Sequence, residues 1–220
     1  MKNLTHFKYG LIIILIHLAG ILYFSVSLSS DAMIPTHWNF QGNVDNYAGK
    51  WHGILTGFLI NLSLFVFFLA FPFISPKYEK NKERYKSVIP ALMTVMLSFF
   101  ALIHIYSLWL SQHSTVSGKI EYMFLLIGAV IIFSGNLMPK TPRNYFIGIK
   151  TPWTLSSEMI WNKTHRFGGK TFVIAGIALM AKSIWLDKML FQGTMTAIAI
   201  LMFILPVIYS FLLFINQKRA

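Results

Sequence analysis

Six apolar runs set the plan of this chain: Gly10–Leu28, Gly53–Ile74, Val88–Leu110, Ile120–Met138, Thr171–Leu186 and Thr194–Ile215. A helix needs roughly 20 residues to cross about 30 Å of hydrocarbon. Five of the runs meet that length. Thr171–Leu186 is shorter and holds Lys182 near its end, from where the ammonium can snorkel to the interface. The runs are continuously apolar, without the alternation of a barrel strand, so helices are expected. Pro206 predicts a kink in the last one, which neighbouring groups can absorb. No internal repeat, low-complexity tract or Gly/Ser-rich linker interrupts the pattern. The expected fold class is all-α, a polytopic membrane protein with a six-transmembrane-helix bundle. Residues 1–220 form one membrane domain in this reading. Its first two helices, within 10–74, are joined by an outer loop. Four more, within 88–215, carry a cytoplasmic loop at 139–170 with a short interfacial helix.

Composition agrees with that reading and adds orientation. The chain is 55% hydrophobic and 12% charged, with twenty Phe and six Trp, whereas soluble domains run near 25% charged. It has no cysteine, which excludes disulfides, thiolate metal sites and a cysteine nucleophile. Its net charge of +12 could suggest nucleic acid, but the placement of the charge points elsewhere. Fifteen basic residues flank the runs on one side: Lys2, Lys8, the 77–86 cluster, six in the central segment, Lys218 and Arg219. Only Lys50, Lys119, Lys182 and Lys188 lie on the other. By the positive-inside bias both termini and the central segment are expected to face the cytoplasm. Membrane lipids are therefore expected partners, and direct nucleic-acid binding is not. The first run has the basic start and small residues of a signal peptide, yet its apolar stretch exceeds a usual h-region, so an uncleaved helix is expected.

Candidate chemistry sits in two polar segments. Asp31–Lys50 is broken by Pro35, Gly42 and Gly49, with Asn43 and Asn46 favouring turns. His37, Trp38, Asn39, Gly42 and Asp45 make it a candidate outer binding surface. The competing reading is a loop whose Trp38 and Tyr47 sit at headgroup depth. His37, Asp45 and His52 have no metal-ligand spacing, so neither a metal nor a cofactor is expected. Gly135–Lys170 concentrates six basic residues with Trp153, Trp161, Glu158 and His165. Thr151-Pro152 reads as a helix start, so a short helix is expected from Trp153 to about Phe167. Glu158, Trp161, Asn162 and His165 fall at i, i+3, i+4 and i+7, on one face. Such a face can bind a ligand or peptide. Glu158 and His165 could also do acid–base chemistry on a lipid headgroup, through a bridging substrate or water. The blander reading is an interfacial helix anchored by its indoles. Of the polar residues inside the runs, His17, Asn61, His104 and Asn136 are the main ones. None is acidic and central, which weakens an ion-coupled transporter.

These two segments resemble known sequences. IPTHWNFQGNVDNYAGK at Ile34–Lys50 resembles the signature of a bacterial domain of unknown function that opens with an IPxHW pattern. Gly135–Asn136, RNYFIGIKTPWTLSSEMIWNKTHRFGGK at Arg143–Lys170, and the following apolar runs resemble the SdpI family. That family is named for an immunity protein that protects a bacterium from a secreted, membrane-active killing peptide. The resemblance implies a non-enzymatic role in toxin resistance, with a toxin peptide as partner. It also implies signalling that draws a cytoplasmic repressor to the membrane. The family motif falls on Asn136, Asn144, Gly148, Lys150, Thr151, Pro152, Trp153, Thr154, Glu158, Trp161, His165 and Arg166. Members often have Arg where this chain has Lys150, which keeps the charge but loses the planar fork.

Overall fold

The structure, a computed structural model, describes residues 7–39, 43–76, 78–113, 120–185 and 191–219. The described residues are mostly helical. In chain order it runs α1 (Lys8–Ser27), β1 (Met33–Trp38), β2 (Val44–Gly49), α2 (Lys50–Ile74), α3 (Lys82–Gln112), α4 (Ile120–Leu137), α5 (Pro152–Ser156), α6 (Glu158–Trp185), α7 (Phe191–Ala199) and α8 (Leu205–Arg219). Five helical stretches are long and apolar enough to cross a membrane: Lys8–Ser27, Lys50–Ile74, Glu79–Gln112, Met123–Lys140 and Met195–Gln217. No more than 33% of any of these windows is buried inside the protein. A water-soluble helix would turn its apolar stripe inward. Here Leu11, Ile12, Leu15 and Ile16 of α1 and Leu55 and Leu59 of α2 face outward, as lipid requires.

The sixth expected span differs. Its apolar part is continuous with the polar stretch before it, and together they make the 28-residue helix α6. From Thr171 to Trp185 there are only 15 residues, about 22 Å of helix. The short helix expected at Trp153–Phe167 is instead split. Ser157 is extended, with φ −125 and ψ 124, and separates the five-residue α5 from α6. Lys182, expected to snorkel outward, is buried.

The chain forms two compact units, 1–71 with 93–123, and 72–92 with 124–220. In the first, the supposed outer loop is an antiparallel hairpin, which an all-α expectation missed. Met33 pairs with Gly49, Ile34 with Ala48 and Pro35 with Tyr47, and the register slips around His37. Its apolar side completes a core of Ile21, Phe24, Leu28, Ala32, Ile34, Ile54 and Leu108. Gly53 allows this seating, because a Cβ there would lie 2.8 Å from Ile34. Ser107 Oγ donates to the Pro35 carbonyl, and Lys50 Nζ to the Leu28 carbonyl at 2.7 Å. Deeper in the unit, three buried polar residues meet. His17 Nε2 lies 2.9 Å from His104 Nδ1, and Asn61 Nδ2 lies 3.0 Å from His17 Nδ1.

In the second unit α4 and α6 pack antiparallel through glycines. A Cβ on Gly135 would lie 2.7 Å from the Gly169 carbonyl oxygen, and one on Gly169 would lie 2.6 Å from that of Gly135. Gly128 and Gly176 repeat the relation at 2.8 and 2.7 Å. Backbones this close exchange dispersion and Cα–H···O contacts along the seam. Between α7 and α8, residues Ile200–Ile204 widen into a π-turn. It falls just before Pro206, whose missing N–H removes an α-helical bond. This is how the helix absorbs the proline.

Candidate functional site

The segment between α4 and α6 is folded upon itself by buried polar side chains. Asn144 organises the loop. Its Oδ1 accepts from the Phe146 and Ile147 amides at 2.8 and 2.7 Å, and its Nδ2 donates to the Pro142 and Ile147 carbonyls at 2.8 and 3.0 Å. One side chain thus meets donors and acceptors that a loop would otherwise leave to water. Gly148 follows with φ +120, the single positive φ among the described residues. That conformation suits glycine alone, and a Cβ would lie 2.3 Å from His165 Nε2.

The first turns of α6 receive this loop. Trp161 Nε1 donates to the Thr141 carbonyl at 2.9 Å. His165 Nδ1 lies 2.8 Å from the Trp161 carbonyl, which fixes the proton on Nδ1. His165 Nε2 then accepts from the Ile149 amide at 3.0 Å. The two rings stack with centroids 3.8 Å apart. Burial holds the His165 imidazole down to about 4, so it is neutral at pH 7. Thr151 caps α5 reciprocally with Thr154, whose hydroxyl donates to the Ile149 carbonyl at 2.9 Å. Trp153 Nε1 donates to Ser210 Oγ of α8 at 2.6 Å, and its ring packs on Phe211 and Phe214.

The expected shared face of α6 therefore divides. Trp161 and His165 are fully buried, while Glu158 and Asn162 stay exposed, as does Arg166. Periodicity put them together, but the loop covers half of the face. With both His165 nitrogens committed to the backbone, no lone pair remains on it for proton transfer with Glu158. Lys150 is exposed and grips the Tyr145 and Phe146 carbonyls, each at 3.2 Å. Asn136 is exposed on α4 and bonds only back to the Ile132 carbonyl, 3.1 Å away, among the described contacts. Arg143 Nη1 donates to the Leu155 carbonyl at 2.9 Å, bracing the loop against α5. Ile147–Lys150 also wall an apolar cavity of about 400 Å³, closed by Leu137, Phe172, Phe203 and Val207. The arrangement can hold an apolar group beside Lys150.

On the hairpin, His37 Nδ1 lies 2.5 Å from Asp45 Oδ1, both side chains largely in the open. Asn39 accepts from the Asn43 amide at 3.0 Å and shapes the turn. Trp38 turns toward a cavity shared with α2 and α3. Gly42 lies outside the described residues. No group of three or more metal-ligating side chains occurs among the described residues. Sequence reasoning missed the glycine seam and the four-bond role of Asn144. The seven-residue spacing of Gly128 and Gly135, matched by Gly169 and Gly176, was the available signal for the first.

Comparison with known proteins covers both regions. Residues 140–210 match the SdpI/YfhL protein family, and residues 11–62 match a domain of unknown function (DUF1648). The chain is 27% identical over 129 residues to "Immunity protein SdpI" of Bacillus subtilis (strain 168). Residues 140–210 of the chain are thus similar to the SdpI family. The alignment covers 59% of this chain and 60% of the Bacillus relative, so it spans less than two thirds of that protein's length. No solved structure matches the chain. The SdpI/YfhL match begins at Lys140, includes the whole Asn144–His165 scaffold and ends at Ser210, the α8 residue bonded to Trp153.

Proposed function

We propose that this chain is an immunity protein that protects its cell from a secreted, membrane-active peptide by binding it, without catalysis. The observation that supports this is the relative's own designation as an immunity protein, joined to a family match that falls on the braced loop. In this reading Asn144, Trp161 and His165 hold the site's shape. Lys150, Trp153, Glu158, Arg166 and Asn136 present its surface. The cytoplasmic segment meets a partner or stabilises the closed state, and the cavity behind Ile147–Lys150 has room for an apolar side chain of such a partner. The hairpin, through His37, Trp38, Asn39, Gly42 and Asp45, meets the peptide outside the cell. Both termini and residues 139–170 face the cytoplasm, and Thr171–Leu186 makes a sixth crossing. The fifteen-to-four distribution of basic residues supports that orientation.

A second activity, signalling by drawing a repressor to the membrane, is favoured by one feature. Glu158, Asn162 and Arg166 form an exposed row on α6 at a spacing of four residues, a shape a protein partner can read. A lipid-acting enzyme built on Glu158 and His165 is disfavoured, because the imidazole is sealed beneath the loop.

The test is survival. A strain lacking its own immunity protein is challenged with the secreted killing peptide while expressing this chain at verified membrane abundance. Protection is expected, and sensitivity equal to that of the empty strain would sink the proposal. Orientation is read by single cysteines at Ser30 and Ser156 with an impermeant thiol reagent on intact cells. Position 30 should label and position 156 should not.

A further inference from the structure

The buried polar cluster of the first unit ends on a hydrogen-bond donor that makes no well-formed bond among the described residues. Asn61 Nδ2 donates to the Leu97 carbonyl at 3.2 Å, which orients its amide, since a carbonyl only accepts. The same nitrogen faces His17 Nδ1, so Nδ1 is the acceptor and His17 carries its proton on Nε2. That proton goes to His104 Nδ1. Neutral His104 must then carry its own proton on Nε2. His104 is 7% exposed, and its Nε2 has no partner of hydrogen-bonding geometry among the described residues. The Gly53 carbonyl acts on the imidazole without reaching that geometry. The ring lies so close over Gly57 that a Cβ there would be 2.5 Å away, which restrains its rotation.

His104 lines a cavity of about 220 Å³ between the hairpin, α2 and α3. The volume holds roughly seven groups the size of a water molecule. Its walls include Ile34, Trp38, Ile60, Phe100 and Ile103, and no charged side chain lines it. Ser107 is already committed to Pro35. Ile60 is exposed, and Phe100 and Ile103 half-buried, on two helices apolar enough to cross a membrane. The cavity therefore opens where acyl chains lie. A buried N–H in a mostly apolar, uncharged chamber, whose polar linings include Thr36 and Thr56, calls for a neutral acceptor on an apolar body.

We propose that this cavity seats an ester carbonyl of a membrane glycerolipid, hydrogen-bonded to His104 Nε2–H, with the first methylenes of the acyl chain along Ile60, Phe100 and Ile103. Asn61 and His17 are positioning residues that fix the tautomer. The absence of charge in the walls selects the carbonyl over the phosphate of the same lipid. This site is independent of the immunity reading, since it is assayed with no toxin present.

The experiment compares two lipids that differ only in the acceptor. Full-length protein in detergent is mixed with equimolar diester phosphatidylglycerol and its diether analogue, and bound lipid is counted by native mass spectrometry. The first bound lipid should favour the diester about threefold to tenfold. His104→Phe, which keeps the ring and removes the donor, should bring the ratio to about one. Thr56→Trp, at an exposed position on the cavity wall, fills the space without touching the polar cluster and should do the same. It keeps the test decisive where His104→Phe fails to fold. A ratio of one in the unaltered protein means an adventitious lipid only and overturns the proposal. So does a preference that survives either substitution in folded protein. Displacement of the preferred diester by an equimolar short apolar peptide would give the cavity to a peptide and overturn it equally.

Discussion

Substituting alanine at Gly135 places a methyl 2.7 Å from the Gly169 carbonyl oxygen, where 3.4 Å is an ordinary contact. The obstacle is backbone and cannot rotate away. The helices must part by about 0.7 Å, a gap that forfeits a quarter to a half of each dispersion contact along the seam. Overpacking of this kind costs roughly 1–3 kcal/mol. Gly169→Ala meets the Gly135 carbonyl at 2.6 Å and should cost the same. The two changes call for one and the same separation. The double variant should therefore be less destabilised than the sum of the single ones, by about 1 kcal/mol or more. The assay is reversible unfolding in mixed micelles of rising sodium dodecyl sulfate content, followed by tryptophan fluorescence. Gly49→Ala is the control, because nothing lies within 4 Å of its Cβ position, and it should stay within about 0.5 kcal/mol of the parent. Full additivity at positions 135 and 169, or single changes as mild as the control, would refute the close-packed seam.

Two further outcomes are expected. Glu158→Gln should leave measurable protection against the killing peptide at matched abundance, because Glu158 is exposed and its carboxylate is not needed for proton transfer; Trp161→Ala should remove far more, since it empties a fully buried site at roughly 3–5 kcal/mol and frees the Thr141 carbonyl. A dead Glu158→Gln beside an active Trp161→Ala would favour an enzyme. His165 lies outside the five crossing-competent helices, and its folded imidazole is held at about 4 against an unperturbed 6.5. The unfolded chain then binds the extra proton first, so stability should be full above pH 6.5 and fall as pH drops toward 4; His165→Gln should flatten that slope, and an unchanged slope would contradict the assignment.

The apolar runs made the helices legible, because lipid demands long uninterrupted stretches and little else produces them. They could not show where α6 begins. Its first three turns are polar and its last four apolar, and a helix that joins the two has no boundary in hydropathy. The hairpin was hidden by its punctuation. Pro35, Gly42 and Gly49 read as breakers, while the slip around His37 erases the alternation that marks a strand. In the central segment, spacing grouped Glu158, Trp161 and His165 correctly around one helix. Spacing cannot say which part of a face another segment covers, and here a loop with two prolines folds back over it. The role of Asn144 depends on four backbone groups between Pro142 and Ile147, a geometry with no signature in composition.

Because side chains of α6 hold the backbone of the preceding loop, that loop should not breathe separately from the helix. The amides of Phe146, Ile147 and Ile149 are bonded to Asn144 and His165, not to a neighbouring strand or turn of helix. The Ile149 amide can open only when the His165 ring moves, and Asn144 ties the Phe146 and Ile147 amides into the same loop. In hydrogen exchange these loop amides should behave as core, releasing deuterium together with the first turns of α6. A stretch that looks like a tether between two helices would then serve as a rigid handle, and a partner that grasped it at the surface would turn α6 itself.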